Sequence, residues 1–232
     1  MERPRFELMS SFSNKEQTNE KESSPKIGSM KEFLLRLKET CPNFTDTELA
    51  DFQITKPLFK GMSPEKRVHA RDVSLRVARM FPESDVVLGA LLHDTQEQTP
   101  KEYALMEKLL PENVAQFVRA LSEDPAHVNR EENAPLAHLK AVFPTLSSEM
   151  KNRLILIKLA DRLDNLQKRL EDGTVPKAYR KKSLELVMYL ESEFKPDAAD
   201  PLNELQLRQL KNELVQLLKS PKQRKNELKK AA

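Results

Sequence analysis

One stretch, residues 153–166 with the sequence RLILIKLADRLDNL, constrains the fold of this chain more than any other. Apolar side chains occupy nearly every side of the helix it would form, which is typical of a helix buried in a core. The exceptions recur every three or four residues and form one polar stripe, made of Lys158, Asp161, Arg162 and Asn165. Burying an ionised carboxylate costs several kcal/mol unless a cation meets it. Asp161 therefore needs a partner, either an ion pair with Lys158 or Arg162, or a ligand bound in a site.

The rest of the chain predicts an all-α protein. Long segments with apolar residues at helical spacing dominate, and the alternating patterns typical of strands are missing. The 232 residues are enough for one domain with tails and a substantial core. We expect a disordered tail over residues 1–29, the domain over 30–200, and a C-terminal amphipathic helix with a basic tail over 201–232.

Composition argues against several classes of protein. No apolar run approaches the roughly 20 residues that span a bilayer, and the N-terminus lacks the apolar region of a secretory signal. The single cysteine, Cys41, rules out an internal disulfide framework and fits a reducing cytoplasm. A net charge of +3 is too small to indicate nucleic-acid binding. We expect a cytoplasmic protein with no membrane or nucleic-acid partner; the basic tail is interpreted as solvated, with acidic lipid or RNA as the alternative contact.

Further polar residues stand on predicted core helices elsewhere in the chain. His69 shares a face with valines on a helix predicted over residues 65–81, a position that by itself is typical of a packed core histidine. His93 and Asp94 follow the apolar run VVLGALL of the next predicted helix, which we expect to continue to Thr99. Both members of this adjacent pair can reach the same centre only if that centre is a cation or a polar pocket.

Taken together, His69, His93, Asp94 and Asp161 give the order H…HD…D, with two imidazoles and two carboxylates. This donor set suits a divalent transition metal such as Mn²⁺, Fe²⁺ or Co²⁺, and the absence of thiolates argues against a structural zinc site. Water would fill the remaining coordination positions, and a bound cation lowers the pKa of such water enough to give hydroxide near neutral pH. The pattern is therefore typical of phosphoester hydrolysis.

These residues also carry a resemblance to a known family. His69, the segment ALLHD (90–94), Glu97 with Thr99, and ILIKLADRLDN (155–165) resemble the HD-domain phosphohydrolases, and among them the hydrolase domain of the RelA/SpoT family with its small stand-alone members. The resemblance extends over about residues 60–195. It implies an HD-type helical bundle that cleaves the 3′-pyrophosphate of guanosine tetra- and pentaphosphate with Mn²⁺.

The resemblance implies roles for individual residues. The metal would be bound by His69, His93, Asp94 and Asp161. Glu97 would be the acid/base residue, and the neighbouring Gln98 could donate a hydrogen bond to a phosphate oxygen. The substrate would be contacted by Lys60, Lys158, Arg162 and Asn165.

Three departures from the family's pattern bear on the substrate. Gln98 stands where the family has a second catalytic carboxylate. Residues 66–70 read KRVHA in place of the family's Tyr-Ile-x-His-Pro. The basic loop before them is reduced to residues 59–64, in which Lys60 matches one basic position. Two alternatives therefore stand beside the alarmone hydrolase: a phosphatase of another nucleotide or phosphorylated dinucleotide, and a non-catalytic binding protein with the same fold.

Overall fold

The computed structural model describes residues 29–122, 134–173, 175–195 and 201–219. Within these ranges the chain is helical and contains no strand, so the prediction of an all-α protein is confirmed, and the structure is consistent with an HD-type bundle. Among the described helices, none combines the length and the apolar character that crossing a bilayer requires. The predicted disordered tail lies outside the described residues except for Ser29, and so does the basic end of the chain after residue 219.

The α-helices run in the order α1 Met30–Thr40, α2 Asp46–Ile54, α3 Pro64–Met80, α4 Ser84–Leu92, α5 Thr95–Gln98, α6 Pro100–Met106, α7 Glu112–Leu121, α8 Ala134–Val142, α9 Ser148–Glu171, α10 Lys177–Glu193 and α11 Pro201–Leu218. Short 3₁₀ helices cover Lys56–Lys60, Glu107–Leu109 and Phe143–Thr145.

Local side-chain chemistry sets several helix ends where the sequence predicts them. Ser147 precedes α9, and its hydroxyl oxygen accepts a hydrogen bond from the Met150 amide at 3.1 Å. The same helix ends before Gly173, whose φ of 67° lies in the left-handed region that glycine adopts at little cost. Thr45 and Glu48 form the predicted capping box at the start of α2.

The long helix α9 lies at the centre of the bundle. It contacts α3, α4, α7, α10 and α11, so apolar side chains on most of its sides are covered. Its buried apolar residues are Leu154, Ile155, Leu156, Ile157, Leu159, Ala160, Leu163 and Leu166. Helix α11 packs on it, and the leucines of α11 at positions 207, 210, 214 and 218 belong to the same core. The predicted burial of the stretch 153–166 is therefore confirmed.

The helix predicted to run from Ser84 to Thr99 is interrupted in the structure. Helix α4 ends at Leu92 and the short α5 begins at Thr95. Two side chains bind carbonyl oxygens of the last turn of α4: the Thr95 hydroxyl donates to Leu92 O at 2.6 Å, and His93 Nδ1 lies 2.8 Å from Ala90 O. Such local side-chain bonds compete with the helical ladder, so the prediction of one continuous helix was wrong at His93 and Asp94.

Candidate metal centre

Three helices bring the predicted ligands together. His69 projects from α3, His93 and Asp94 follow α4, and Asp161 lies in the middle of α9. One ligand atom from each of His69, His93 and Asp161 lies within 4.8 Å of the other two, and all three residues are buried. Asp94 joins them, because its Oδ1 atom lies 3.2 Å from His93 Nε2. Two imidazoles and two carboxylates thus face one centre.

His93 directs its Nε2 atom to this centre. Because a carbonyl oxygen can only accept, the contact between Nδ1 and Ala90 O places the ring proton on Nδ1. The other nitrogen, Nε2, is buried and has no hydrogen-bond partner among the described residues. It lies 3.2 Å from Asp94 Oδ1 and 3.7 Å from Asp161 Oδ1. In the neutral ring the Nε2 lone pair would point between these two carboxylates, an arrangement that fits a bound metal ion.

His69 is held by two carboxylates. Its Nδ1 atom lies 2.5 Å from Asp164 Oδ2, and its Nε2 atom lies 3.1 Å from Asp161 Oδ1. Burial alone would lower the pKa of His69, but the hydrogen bonds and charges of Asp161 and Asp164 outweigh it and raise the pKa to about 9. Without a metal ion the His69 ring is therefore an imidazolium at neutral pH. Its positive charge lies between the two carboxylates, as that of a metal ion would.

Asp161 has a different set of partners from the ion pair that the sequence left open. Among the described residues it forms no ion pair with Lys158 or Arg162; instead Asn165 Nδ2 donates to its Oδ1 at 2.6 Å, beside the contact with His69. Burial would raise the pKa of Asp161, but the hydrogen bond to His69 and nearby positive charges, that of Lys158 included, lower it. Asp161 therefore stays ionised in a buried place, which favours the ligand site over the ion pair.

Asp94 divides its two oxygens between the centre and a lysine. Oδ1 faces His93, whereas Oδ2 lies 2.8 Å from the ammonium nitrogen of Lys66. Burial would raise the pKa of Asp94, but the charges of His93 and Lys66 bring it below its ordinary value. The carboxylate is therefore held ionised, with one oxygen directed to the centre.

Two residues of the site, Asp164 and Lys66, were not predicted. Asp164 is buried on α9 and forms an ion pair of 2.6 Å with Lys168, whose ammonium group also lies 3.7 Å from Asp72. Each missed residue stands three positions from a predicted ligand on the same helix, and that spacing was the available signal.

The predicted catalytic and substrate-binding residues differ in how far their side chains are buried. Glu97 and Gln98 are exposed on α5, and Lys60 is exposed at the end of its 3₁₀ helix. A Cβ atom on the following residue, Gly61, would meet Thr99 Cγ2 at 2.8 Å, so this loop lies directly against the end of α5. These three side chains therefore come from adjacent segments.

The remaining predicted substrate-binding residues lie on α9. Lys158 is buried, and the guanidinium of Arg162 lies 5.4 Å from the centroid of the Tyr179 ring. Asn165 donates to Asp161, as described above. A substrate role for these residues stays a prediction.

The donor set as a whole fits a divalent transition metal ion. Each imidazole uses Nδ1 to bind a neighbour and directs Nε2 to the centre, which is the arrangement found around metal-ligating histidines. Nitrogen and carboxylate ligands without thiolates suit Mn²⁺, Fe²⁺ or Co²⁺. Among the described residues, His69, His93 and Asp161 thus form a group that could hold a metal ion.

Comparison with known proteins finds similarity to a group of nucleotide hydrolases. Over 100 residues, 43% of its length, the chain is 31% identical to the guanosine-3′,5′-bis(diphosphate) 3′-pyrophosphohydrolase of Aquifex aeolicus (strain VF5). Over 100 residues it is 32% identical to the bifunctional (p)ppGpp synthase/hydrolase SpoT of Escherichia coli (strain K12). These similarities confirm the resemblance to the RelA/SpoT-type HD-domain hydrolases.

A small relative shows the same similarity. The guanosine-3′,5′-bis(diphosphate) 3′-pyrophosphohydrolase MESH1 of Drosophila melanogaster is 34% identical over 101 residues. The aligned part covers 14% of the length of each of the two bacterial relatives and 52% of the fly protein. No protein-family model matches the chain, and no solved structure matches it.

Proposed function

We propose that this protein is a Mn²⁺-dependent phosphohydrolase that removes the 3′-pyrophosphate group from guanosine 3′,5′-bis(diphosphate). The observation that carries the proposal is the centre formed by the buried His69, His93 and Asp161 together with the partly buried Asp94. It belongs to a chain that is similar to several proteins named for this activity.

The roles proposed for the chain's own residues follow from how deeply each side chain is buried. The buried ligands would hold the ion, and a divalent ion bound there supplies Lewis acidity, which polarises phosphoryl oxygens and acidifies water. Glu97, exposed on α5, would accept a proton from the attacking water and pass it to the leaving group. Burial would lower the pKa of Lys66, but Asp94, then Asp161 and then Glu97 raise it, and Glu97 does not belong to the buried His/Asp group. Gln98 would donate to a phosphate oxygen.

A second candidate is hydrolysis of another phosphorylated nucleotide. It is favoured by the loop before α3, where Phe59 and Met62 are buried in the core and Lys60 is the basic residue presented to solvent. With Gln98 in place of a carboxylate, the pair on α5 also has one titratable group instead of two. Both features concern substrate recognition and proton transfer, and neither touches the buried ligands.

A panel of nucleotides tests the proposal. The protein is incubated with Mn²⁺ and each nucleotide, and the products are separated by chromatography, with Asp94→Ala as the metal-site control. Release of pyrophosphate from the 3′ position of guanosine 3′,5′-bis(diphosphate) is the expected result. Orthophosphate from a different nucleotide would support the second candidate, and no product across the panel would identify a binding protein.

Glu97→Gln tests the proposed acid/base residue. Because a positioned proton-transfer group contributes about 10² to 10⁴ in rate, turnover should fall by that factor while Mn²⁺ affinity and melting temperature stay unchanged. Glu102→Gln, the same change at an exposed position on α6, is the matched control and should keep the parent rate. Gln98→Asp should raise turnover if a second carboxylate improves proton transfer. Parent-rate hydrolysis by Glu97→Gln would remove this residue from the mechanism.

A further inference from the structure

Lys66 places a positive charge beside the candidate metal centre, at its solvent side. It lies on α3, one turn before His69, and its ammonium nitrogen lies 2.8 Å from Asp94 Oδ2. The Lys66 side chain is 43% exposed, whereas those of Asp94 and His69 are 16% and 6% exposed. The charge of Lys66 therefore stands where a molecule entering from solvent would meet it before reaching the buried ligands.

The ammonium group of Lys66 forms an ion pair with Asp94. In the metal-free protein the ion pair with Asp94 balances this charge. A divalent cation bound to Asp94 Oδ1 would draw on the same carboxylate, so the charge of Lys66 would be balanced less completely once the site is loaded.

We propose that Lys66 is the phosphate-binding cation of this site, held over the metal-binding residues by Asp94. The inference rests on the proposed function and deepens it by naming a group that recognises the anionic part of the substrate. An ammonium group offers three donors and a compact charge, and lysine binds phosphate as a point charge. Asp94 would serve both functions, with Oδ1 directed to the ion and Oδ2 fixing the ammonium group beside it.

A purely structural role for Lys66 predicts a different result. If the lysine only oriented Asp94, its removal would loosen a ligand and weaken metal binding. If it binds phosphate, its removal takes away a positive charge that repels the incoming ion, so metal binding stays equal or becomes tighter while phosphate binding weakens. The two roles are therefore separated by the direction in which the metal affinity changes.

The test compares Lys66→Met and Lys66→Arg with the parent protein. Mn²⁺ binding to the metal-free proteins is measured by calorimetric titration. Binding of inorganic phosphate to the Mn²⁺-loaded proteins is followed by the broadening of its ³¹P resonance, which requires no turnover. Lys56→Met is the matched control, because Lys56 is exposed on the 3₁₀ helix and lies outside the proposed site.

Lys66→Met should bind Mn²⁺ at least as tightly as the parent, while its phosphate Kd rises about tenfold or more through loss of a charge-assisted bond. Lys66→Arg, which keeps the charge, should stay within about threefold of the parent phosphate Kd. A phosphate Kd for Lys66→Met within about twofold of the parent value overturns the inference. A Mn²⁺ Kd that rises tenfold or more in Lys66→Met also overturns the inference, since that result identifies Lys66 as a residue that orients Asp94.

Failure of the proposed function gives a different result. A protein that binds Mn²⁺ and phosphate in a Lys66-dependent manner but leaves guanosine 3′,5′-bis(diphosphate) intact contradicts the hydrolase proposal and supports the role of Lys66. A protein that cleaves the nucleotide at the parent rate after Lys66→Met, with unchanged phosphate binding, supports the hydrolase and overturns the role of Lys66.

Discussion

At the scale of single residues, the orientation of His69 depends on a buried carboxylate that does not face the centre. Asp164 accepts from Nδ1, and the same carboxylate oxygen is held by Lys168, which is also close to Asp72. This chain of contacts fixes the ring and keeps a proton on Nδ1, so that Nε2 is the nitrogen available to an ion. Asp164 is therefore a positioning residue that acts through His69.

Replacing Asp164 should weaken metal binding without touching a ligand. Loss of an outer partner of this kind costs about 10- to 100-fold in metal affinity, so Asp164→Ala should raise the Mn²⁺ Kd by that factor. Asp164→Asn keeps an oxygen that can accept from Nδ1 and should lose less. The measurement is Mn²⁺ titration, with Asp172→Ala, an exposed aspartate at the end of α9, as the control. Equal affinity in Asp164→Ala and the control would contradict the assignment.

The raised pKa of His69 predicts how the stability of the metal-free protein depends on pH. The folded protein binds this proton more tightly than the unfolded chain, in which the pKa is about 6.5. The stabilisation is therefore complete below about pH 6.5 and is lost as the pH rises through the folded value of about 9. A shift of this size corresponds to about 3 kcal/mol.

At acid pH the stability of the metal-free protein changes with pH in the opposite direction. The pKa values of Asp94, Asp161 and Asp164 are lowered in the folded protein, so their contribution is present above about pH 4 and is lost as the pH falls below it. Urea unfolding of metal-free protein should thus show maximal stability between about pH 4 and 6.5. A His69→Gln variant should lack the decline on the alkaline side, and a decline as large as the parent's would assign it to another group.

At the scale of elements, the sequence predicts what local chemistry decides. Ser147 and Gly173 mark the ends of α9 because a hydroxyl cap and a left-handed turn are properties of a few adjacent residues. The interruption at His93 was not predicted, because a buried apolar run such as VVLGALL fits a continuous helix equally well. Whether Thr95 and His93 bind the carbonyl oxygens of the turn depends on their rotamers in the packed protein.

As with the helices, the sequence predicted part of the candidate site and missed the rest. The residue types and the order H…HD…D identified the four residues that converge, because few buried positions carry such side chains. The outer partners Asp164 and Lys66 depend on how α3 is rotated against α9 and the end of α4, which helical periodicity does not fix. For the same reason the sequence left open an ion pair between Asp161 and Arg162, although Arg162 contacts Tyr179.

The packing of α4 against α7 predicts the effect of a small substitution at Gly89. A Cβ atom there would lie 3.0 Å from both Cβ and Cδ2 of Phe117, a fully buried side chain. Alanine improves helix propensity by about 1 kcal/mol, but overpacking costs about 1 to 3 kcal/mol. Gly89→Ala should therefore be destabilised by about 1 kcal/mol in urea unfolding. It should also weaken Mn²⁺ binding, because α4 leads into His93 and Asp94.

Gly173→Ala is the control for Gly89→Ala. Its Cβ would meet nothing within 4 Å, but its φ of 67° is unfavourable for alanine, so it too should lose about 1 kcal/mol. The position is remote in sequence from the ligands, and Mn²⁺ affinity should not change. Equal Mn²⁺ affinities in both variants would contradict the idea that the approach of α4 to α7 positions the ligands.

At the scale of the whole molecule, the candidate centre joins three parts of the chain that are far apart in sequence. His69, His93 and Asp161 come from α3, the end of α4 and α9, and these elements also pack on one another through the apolar core. An ion that binds all three stabilises the folded protein over the unfolded chain, in which the ligands are separated. Metal binding at this centre would therefore be linked to folding.

This linkage gives a prediction that does not depend on the substrate. Mn²⁺ at about 100 times its Kd should add about 2.7 kcal/mol to the free energy of unfolding, which for a chain of this size raises Tm by about 5 to 10 °C. A chelator should reverse the shift. Asp161→Asn should show no shift with Mn²⁺, because it removes the carboxylate that contacts both histidines. An equal rise in Tm for parent and Asp161→Asn would show that Mn²⁺ acts elsewhere on the protein, and the buried centre would no longer explain the stabilisation.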